Sequence, residues 1–177
     1  MAAALLIFWC VDKRQGYYVF LVGALGTVCN QFLKLAFRIP RPWVLDPDFQ
    51  IVEAARADAT GYSFPSGHTQ NIVGTTASIF ASRKETWARI VCIVLMVLVP
   101  FSRMYLGVHT PLDVGVAFLT ALALAAALYP AFRTESAAKK TVPWLLLGVA
   151  VLCGGYLIYA SSLARCDWPA GSEDLSN

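Results

Sequence analysis

The sequence predicts an all-α, polytopic transmembrane helix bundle, and three observations lead there. Apolar residues make up 58% of the 177 and charged residues only 14%, a balance too greasy for an ordinary soluble domain. The mean hydropathy is +0.59. The apolar residues also gather in runs of about 20, the number needed to cross a hydrocarbon core of ~30 Å at ~1.5 Å per helical residue. One domain is expected at this length: residues 1–165 form the transmembrane unit, and residues 166–177 a polar C-terminal tail.

The runs follow in order. Ala2 to Val11 is apolar but only ten residues long. It reads either as the end of a longer, truncated helix or as a short re-entrant or interfacial segment. Tyr17 to Phe37 is the first full span. Ser66 to Ala81 is shorter and rich in Ser, Thr and Gly, which suits a helix packed among others, where small residues let backbones approach. Ala88 to Tyr105, Pro111 to Phe132 and Pro143 to Leu163 complete the set. No internal repeat is evident.

Composition also excludes several classes. The net charge of +3 is small and its basic residues are scattered, so no cationic stripe points to nucleic acid. The five cysteines show no metal-ligand spacing and act as small hydrophobes within apolar runs. The N-terminus lacks the ordered regions of a signal peptide, so insertion through the chain's own helices is expected.

Charge placement orients the bundle. With alternating spans, Lys13, Arg14, Arg83, Lys84, Arg89, Arg133, Lys139 and Lys140 fall on one side, which the positive-inside rule makes cytoplasmic. Lys34, Arg38, Arg41, Arg56, Arg103 and Arg165 fall on the other side. Ionisable groups near lipid are costly unless they snorkel or serve a site. Three polar clusters share that second face: "KLAFRIPRP" (34–42), "YSFPSGHT" (62–69) and "FSRMYLGVHTPLDV" (101–114).

Each cluster suggests part of an anion site. Pro40 and Pro42 force the chain out of helix, which aims Lys34 and Arg41 together, and Arg103 joins them from another span. Guanidinium forks match phosphate oxygens. Interfacial anchoring competes for each cation taken singly and fits Arg38 better than the site does. A helix beginning at Ser66 or Gly67 would turn unpaired N–H groups toward an anion, with Gly67 allowing close approach and His68 at its mouth. Ser66 as a plain N-cap is equally compatible. Thr110, Pro111 and Asp113 read as N-cap, first residue and capping-box partner. Asp113, four residues after His109, also reads as the carboxylate that fixes its tautomer.

Two histidines and one aspartate also make a metal triad. Lys34, Arg41 and Arg103 would repel a cation there, so a phosphate ester fits better: the cations neutralise its oxygens, one His attacks and the other protonates the leaving group.

Lys34 with six residues before Arg41 and Pro42, then Pro65-Ser66-Gly67-His68, then Ser102-Arg103 with five residues before His109 and three more before Asp113: this resembles the tripartite signature of the type 2 phosphatidic acid phosphatase superfamily. All three pieces match in order and spacing. The resemblance implies His109 as nucleophile forming a phosphohistidine, Asp113 orienting it and His68 as general acid. It implies Lys34, Arg41, Ser66, Gly67 and Arg103 as the phosphate cradle, with no metal or other cofactor. Membrane members resemble six-helix proteins, so one full span and most of a second would precede Lys13, while Pro143 to Leu163 is an additional span.

The expected activity is metal-independent hydrolysis of a lipid phosphate or pyrophosphate, with undecaprenyl pyrophosphate, phosphatidic acid and phosphatidylglycerol phosphate all compatible. The setting is a bacterial cytoplasmic membrane, with the site at its outer water interface and membrane lipids as surroundings. Two alternatives are a lipid phosphotransferase using the same intermediate and a non-catalytic lipid-phosphate binding protein. The loop Trp43 to Tyr62, with Asp46, Asp48, Glu53 and Asp58, either helps to select the head group or is a solvated connection.

Overall fold

A computed structural model describes residues 2–46, 48–56, 59 and 61–165. The predicted polar tail 166–177, Cys166 and Asp58 lie outside the described residues. All regular structure among the described residues is helical, as the composition predicts.

Helix α1 (Ala2–Cys10) folds back onto α2 (Lys13–Phe37). Asp12 caps α2 by accepting the Arg14 N–H at 2.8 Å. Gly16 permits the contact: a Cβ there would lie 2.5 Å from Phe8 Cβ. The first full span thus starts four residues before Tyr17 and ends where predicted, with Arg38 capping it in the left-handed region. Two short helices, α3 (Pro42–Leu45) and α4 (Glu53–Arg56), occupy the connection to α5 (Gly67–Ser82).

Helix α5 is the centre of the bundle, packed against α2, α6 (Thr86–Tyr105) and α7 (Pro111–Leu128). Its 16 residues span about 24 Å at ~1.5 Å each, less than a hydrocarbon core. Small residues allow that packing. A Cβ on Gly74 would come within 3.2 Å of Val22 Cγ1, so α2 and α5 approach closely at this glycine. Two of its polar side chains bond inside the bundle: Ser78 Oγ donates to the Gly74 carbonyl at 2.7 Å, and Gln70 Oε1 accepts from Thr120 Oγ1 at 2.7 Å. Interhelical hydrogen bonds of the Thr120–Gln70 kind contribute about 0.6 kcal/mol each on average within membranes.

A 3-10 turn (Tyr129–Phe132) extends α7 and leads to α8 (Glu135–Arg165). Helix α8 begins eight residues before the predicted Pro143, because Thr134 supplies a cap: its Oγ1 accepts the Ala137 N–H at 3.2 Å. Tyr18, Leu21 and Val22 of α2 form one core with Ala125, Phe132, Ala138 and Val142, and Tyr18 donates to the Ala125 carbonyl at 2.6 Å.

Four segments are long and apolar enough to cross a membrane: Lys13–Leu45, Thr86–Tyr105, Pro111–Phe132 and Glu135–Ser162. Val97 and Leu98 on α6 and Leu157 and Ile158 on α8 are exposed. Apolar surface on this scale is stable only against another apolar medium. Lipid is that medium, and the protein is an integral membrane helix bundle.

Candidate active site

The three predicted clusters meet at one end of the bundle. Helix α2 delivers Lys34 and the turn after it Arg41; α5 opens on Ser66 to His68; α6 carries Arg103 in its last turn; and the tight turn after it presents His109 ahead of α7. That turn needs Gly107, whose φ is +74°, and where a Cβ would lie 2.9 Å from the Gln50 carbonyl oxygen.

Asp113 and His109 are both buried, at 2% and 6% exposure. The capping box at the start of α7 is complete: Thr110 Oγ1 accepts the Asp113 N–H at 3.2 Å, while Asp113 Oδ2 accepts the Thr110 N–H at 2.8 Å. The same Oδ2 lies 3.5 Å from His109 Nδ1. The two readings that compete in the sequence meet on one oxygen atom, which completes the cap and faces the imidazole. A proton on Nδ1 facing Oδ2 leaves the lone pair on Nε2.

Arg41 is 4% exposed and braces the histidine. Its Nε donates to the Gly61 carbonyl at 2.9 Å and its Nη1 to the Val108 carbonyl at 2.8 Å. Nη1 also lies 3.1 Å from His109 Nε2 and 3.5 Å from Nδ1. No point in the ring plane satisfies both distances without collision with Cε1, so the guanidinium stands over the ring face. Lys34 Nζ donates to the Tyr62 carbonyl, and Arg103 lies close enough for its charge to act on Arg41.

These surroundings hold the His109 imidazole below its ordinary value of 6.5. Burial is the first cause, the charges of Arg41 and Lys34 add to it, and the hydrogen bond and charge of Asp113 oppose them. A neutral ring is the result near pH 7.

The α5 start has the expected geometry. Ser66 is the N-cap, its Oγ accepting the Thr69 N–H at 3.4 Å. Its own N–H donates to the Asp113 carbonyl at 3.1 Å, which ties the beginnings of α5 and α7 together. Gly67 N–H is an orphan of the first helical turn. A Cβ on Gly67 would meet only Asn30 Oδ1, at 3.7 Å, so internal packing does not demand glycine there. His68 is exposed at the second position of the helix.

Sequence reasoning missed Ser63 and Asn30. Ser63 is fully buried and its Oγ donates to Asp113 Oδ2, while Asn30 Nδ2 donates to the Pro65 carbonyl at 3.3 Å. Ser63 sits inside a predicted cluster, but nothing in its residue type announces a partner fifty positions away. Arg38 does not join the group: it is exposed, and its Nε donates to the Leu35 carbonyl at 3.1 Å.

Described parts of the 43–62 connection are packed. Trp43, Ala55, Ala59 and Val108 form a small core, and Val52 N–H donates to the Leu106 carbonyl at 3.3 Å. Beside it lies a cavity of about 390 Å³ lined by Trp43, Asp48, Phe49, Gln50, Glu53 and Arg56, among others.

The sequence profile of the PAP2 superfamily matches residues 15–137, a stretch that contains every residue of this cluster. The chain belongs to the PAP2 superfamily. Among curated superfamily relatives, it is 33% identical to undecaprenyl-diphosphatase BcrC of Bacillus subtilis (strain 168) over 118 residues, covering 64% of this chain and 58% of that protein. It is 32% identical to the undecaprenyl-diphosphatase of Sulfolobus acidocaldarius over 111 residues, covering 63% and 52%. The chain thus spans little more than half the length of these relatives. No solved structure matches it.

Proposed function

We propose that this superfamily member is a lipid phosphatase that cleaves a polyprenyl pyrophosphate of the undecaprenyl type through a phosphohistidine on His109. The observation that carries the reading is the buried His109–Asp113 pair beneath Arg41, at the same end as the α5 N-terminus. The names of the relatives support the substrate class.

His109 Nε2 attacks the terminal phosphorus, forming the P–N bond as the P–O bond to the leaving phosphate breaks, and His68 gives the leaving oxygen its proton. Lys34, Arg41, Arg103 and the Gly67 N–H stabilise the charge gathering on the phosphoryl oxygens. Water then attacks the phosphohistidine, losing a proton to His68. The P–N bond breaks, and inorganic phosphate and the lipid monophosphate are released. The cavity beside the 43–62 connection is the place for head-group selection. Positive-inside placement of the eight basic residues at the opposite end supports a site facing outward from a bacterial cytoplasmic membrane.

Phosphate release by the purified chain is the test, over a panel of undecaprenyl pyrophosphate, phosphatidic acid and phosphatidylglycerol phosphate. Turnover of the pyrophosphate that is lost in His109→Ala, blocked by vanadate and insensitive to chelator is the expected outcome. Undiminished release by His109→Ala would sink the assignment. Phosphorus NMR in the presence of an acceptor alcohol distinguishes hydrolysis from phosphotransfer.

A further inference from the structure

The opposite end of the bundle holds a second concentration of positive charge that catalysis does not use. A cavity of about 190 Å³ lies where the start of α2, the end of α5, the start of α6 and the 3-10 turn meet. Arg14, Lys84, Arg89 and Arg133 line it together with Tyr18 and Tyr129, and no carboxylate among the described residues does.

The counter-charges nearby do not balance this set. Arg14 pairs with Asp12 at 3.7 Å and donates from Nη1 to the Arg133 carbonyl at 2.9 Å. Arg89 engages Nε alone in hydrogen bonding, with the Arg83 carbonyl at 2.9 Å, and its guanidinium lies 5.0 Å from the Phe80 ring centroid. Lys84 and Arg133 have no carboxylate partner among the described residues. Glu85, adjacent to Lys84, is turned to Arg83 at 3.6 Å. Basic residues that only anchor a membrane protein spread along the interface, where water and salt screen each one. Four drawn from separate elements around one concavity repel each other, and an anion seated between them relieves the repulsion.

We infer that this cavity is an anion site for a phosphate group, distinct from the His109 cluster and at the other membrane face. The guanidinium groups of Arg89 and Arg133, the Lys84 ammonium and the Tyr129 hydroxyl supply donors for its oxygens, with the Arg14 charge beside them. A free phosphate ion and the phosphate of an anionic lipid head group share this chemistry.

Equilibrium dialysis of radiolabelled inorganic phosphate against the full chain in phosphatidylcholine nanodiscs tests the inference. Lys84→Gln/Arg133→Gln is expected to lose one bound phosphate per chain, and each single substitution to weaken that phosphate about tenfold. Should the double variant fold poorly, the singles carry the test. Lys139→Gln/Lys140→Gln, which removes as much charge from the same face, should keep the phosphate. Repeating the measurement in nanodiscs that also contain phosphatidylglycerol identifies the source: displacement of this phosphate assigns the site to a lipid head group, and retention assigns it to free phosphate. Unchanged stoichiometry in Lys84→Gln/Arg133→Gln, or an equal loss in Lys139→Gln/Lys140→Gln, overturns the proposal.

Discussion

Asp113 Oδ2 lies 3.5 Å from His109 Nδ1 while accepting the Thr110 N–H at 2.8 Å, so the cap that starts α7 also aims the imidazole. Asp113→Asn keeps the shape of the group and removes its charge. In a Ser-His-Asp triad the equivalent change lowers kcat about 10⁴-fold. For this chain the expected loss in kcat is about 10²–10⁴-fold, with KM within a few-fold of the parent. Steady-state phosphate release measures both, and unchanged kcat would reduce Asp113 to a capping residue.

Ser63 holds that carboxylate from the other side. A hydrogen bond to a charged group contributes about 1.5–3 kcal/mol, and Ser63→Ala removes one from the oxygen that steers His109. The expected result is a fall in kcat of about tenfold or more with little change in KM. A purely structural serine would instead lower thermal stability and leave the kcat of the folded fraction intact.

In the proposed mechanism His109 attacks with a lone pair that protonation removes, so activity is expected to fall on the acid side of its pKa. Burial, Arg41 and Lys34 hold that pKa below 6.5, which places the acid limb of kcat/KM below pH 6.5 and keeps the nucleophile available through neutrality. The Asp113 interaction opposes the lowering. In Asp113→Asn the residual activity should therefore show its acid limb at still lower pH. A limb at or above pH 6.5 in the parent would contradict the burial seen at His109.

Gly107 is bound to its residue type by two separate facts, a φ of +74° and a Cβ position 2.9 Å from the Gln50 carbonyl oxygen. A side chain there is strained and also displaces the 43–62 connection. Gly107→Ala should cost about 1–3 kcal/mol, on the order of 2–10 °C in Tm for a chain of this length. Thermal denaturation in detergent measures it. Activity should fall alongside, since His109 stands two residues on.

Much of this molecule is written in local patterns. Long apolar runs specify membrane helices because only a helix satisfies every backbone group in lipid. Ser66 and Thr110 mark helix starts by capping, and both marks coincide with observed starts, whereas Pro42, read in the sequence as a point where the chain leaves helix, opens the short α3 because its fixed φ suits a first helical residue. The spacing of Lys34, Arg41, His68, Arg103, His109 and Asp113 carried the family. Helix α8 was less legible at its start, because Thr134 caps more weakly in sequence terms than Pro143 punctuates.

By itself, then, the sequence determined the helices, their caps, the apolar surface offered to lipid and the set of charged residues needing a common purpose. Only the tertiary structure decided how those residues share their work. It placed Ser63 and Thr110 on one oxygen of Asp113, stood Arg41 over the His109 ring, packed the 43–62 connection on Val108 and gathered four cations at the far end. The reason is physical: caps and hydrophobic runs act between neighbours in the chain, whereas these pairings join atoms that only the packing of α2, α5, α6 and α7 brings within hydrogen-bond or Coulomb range.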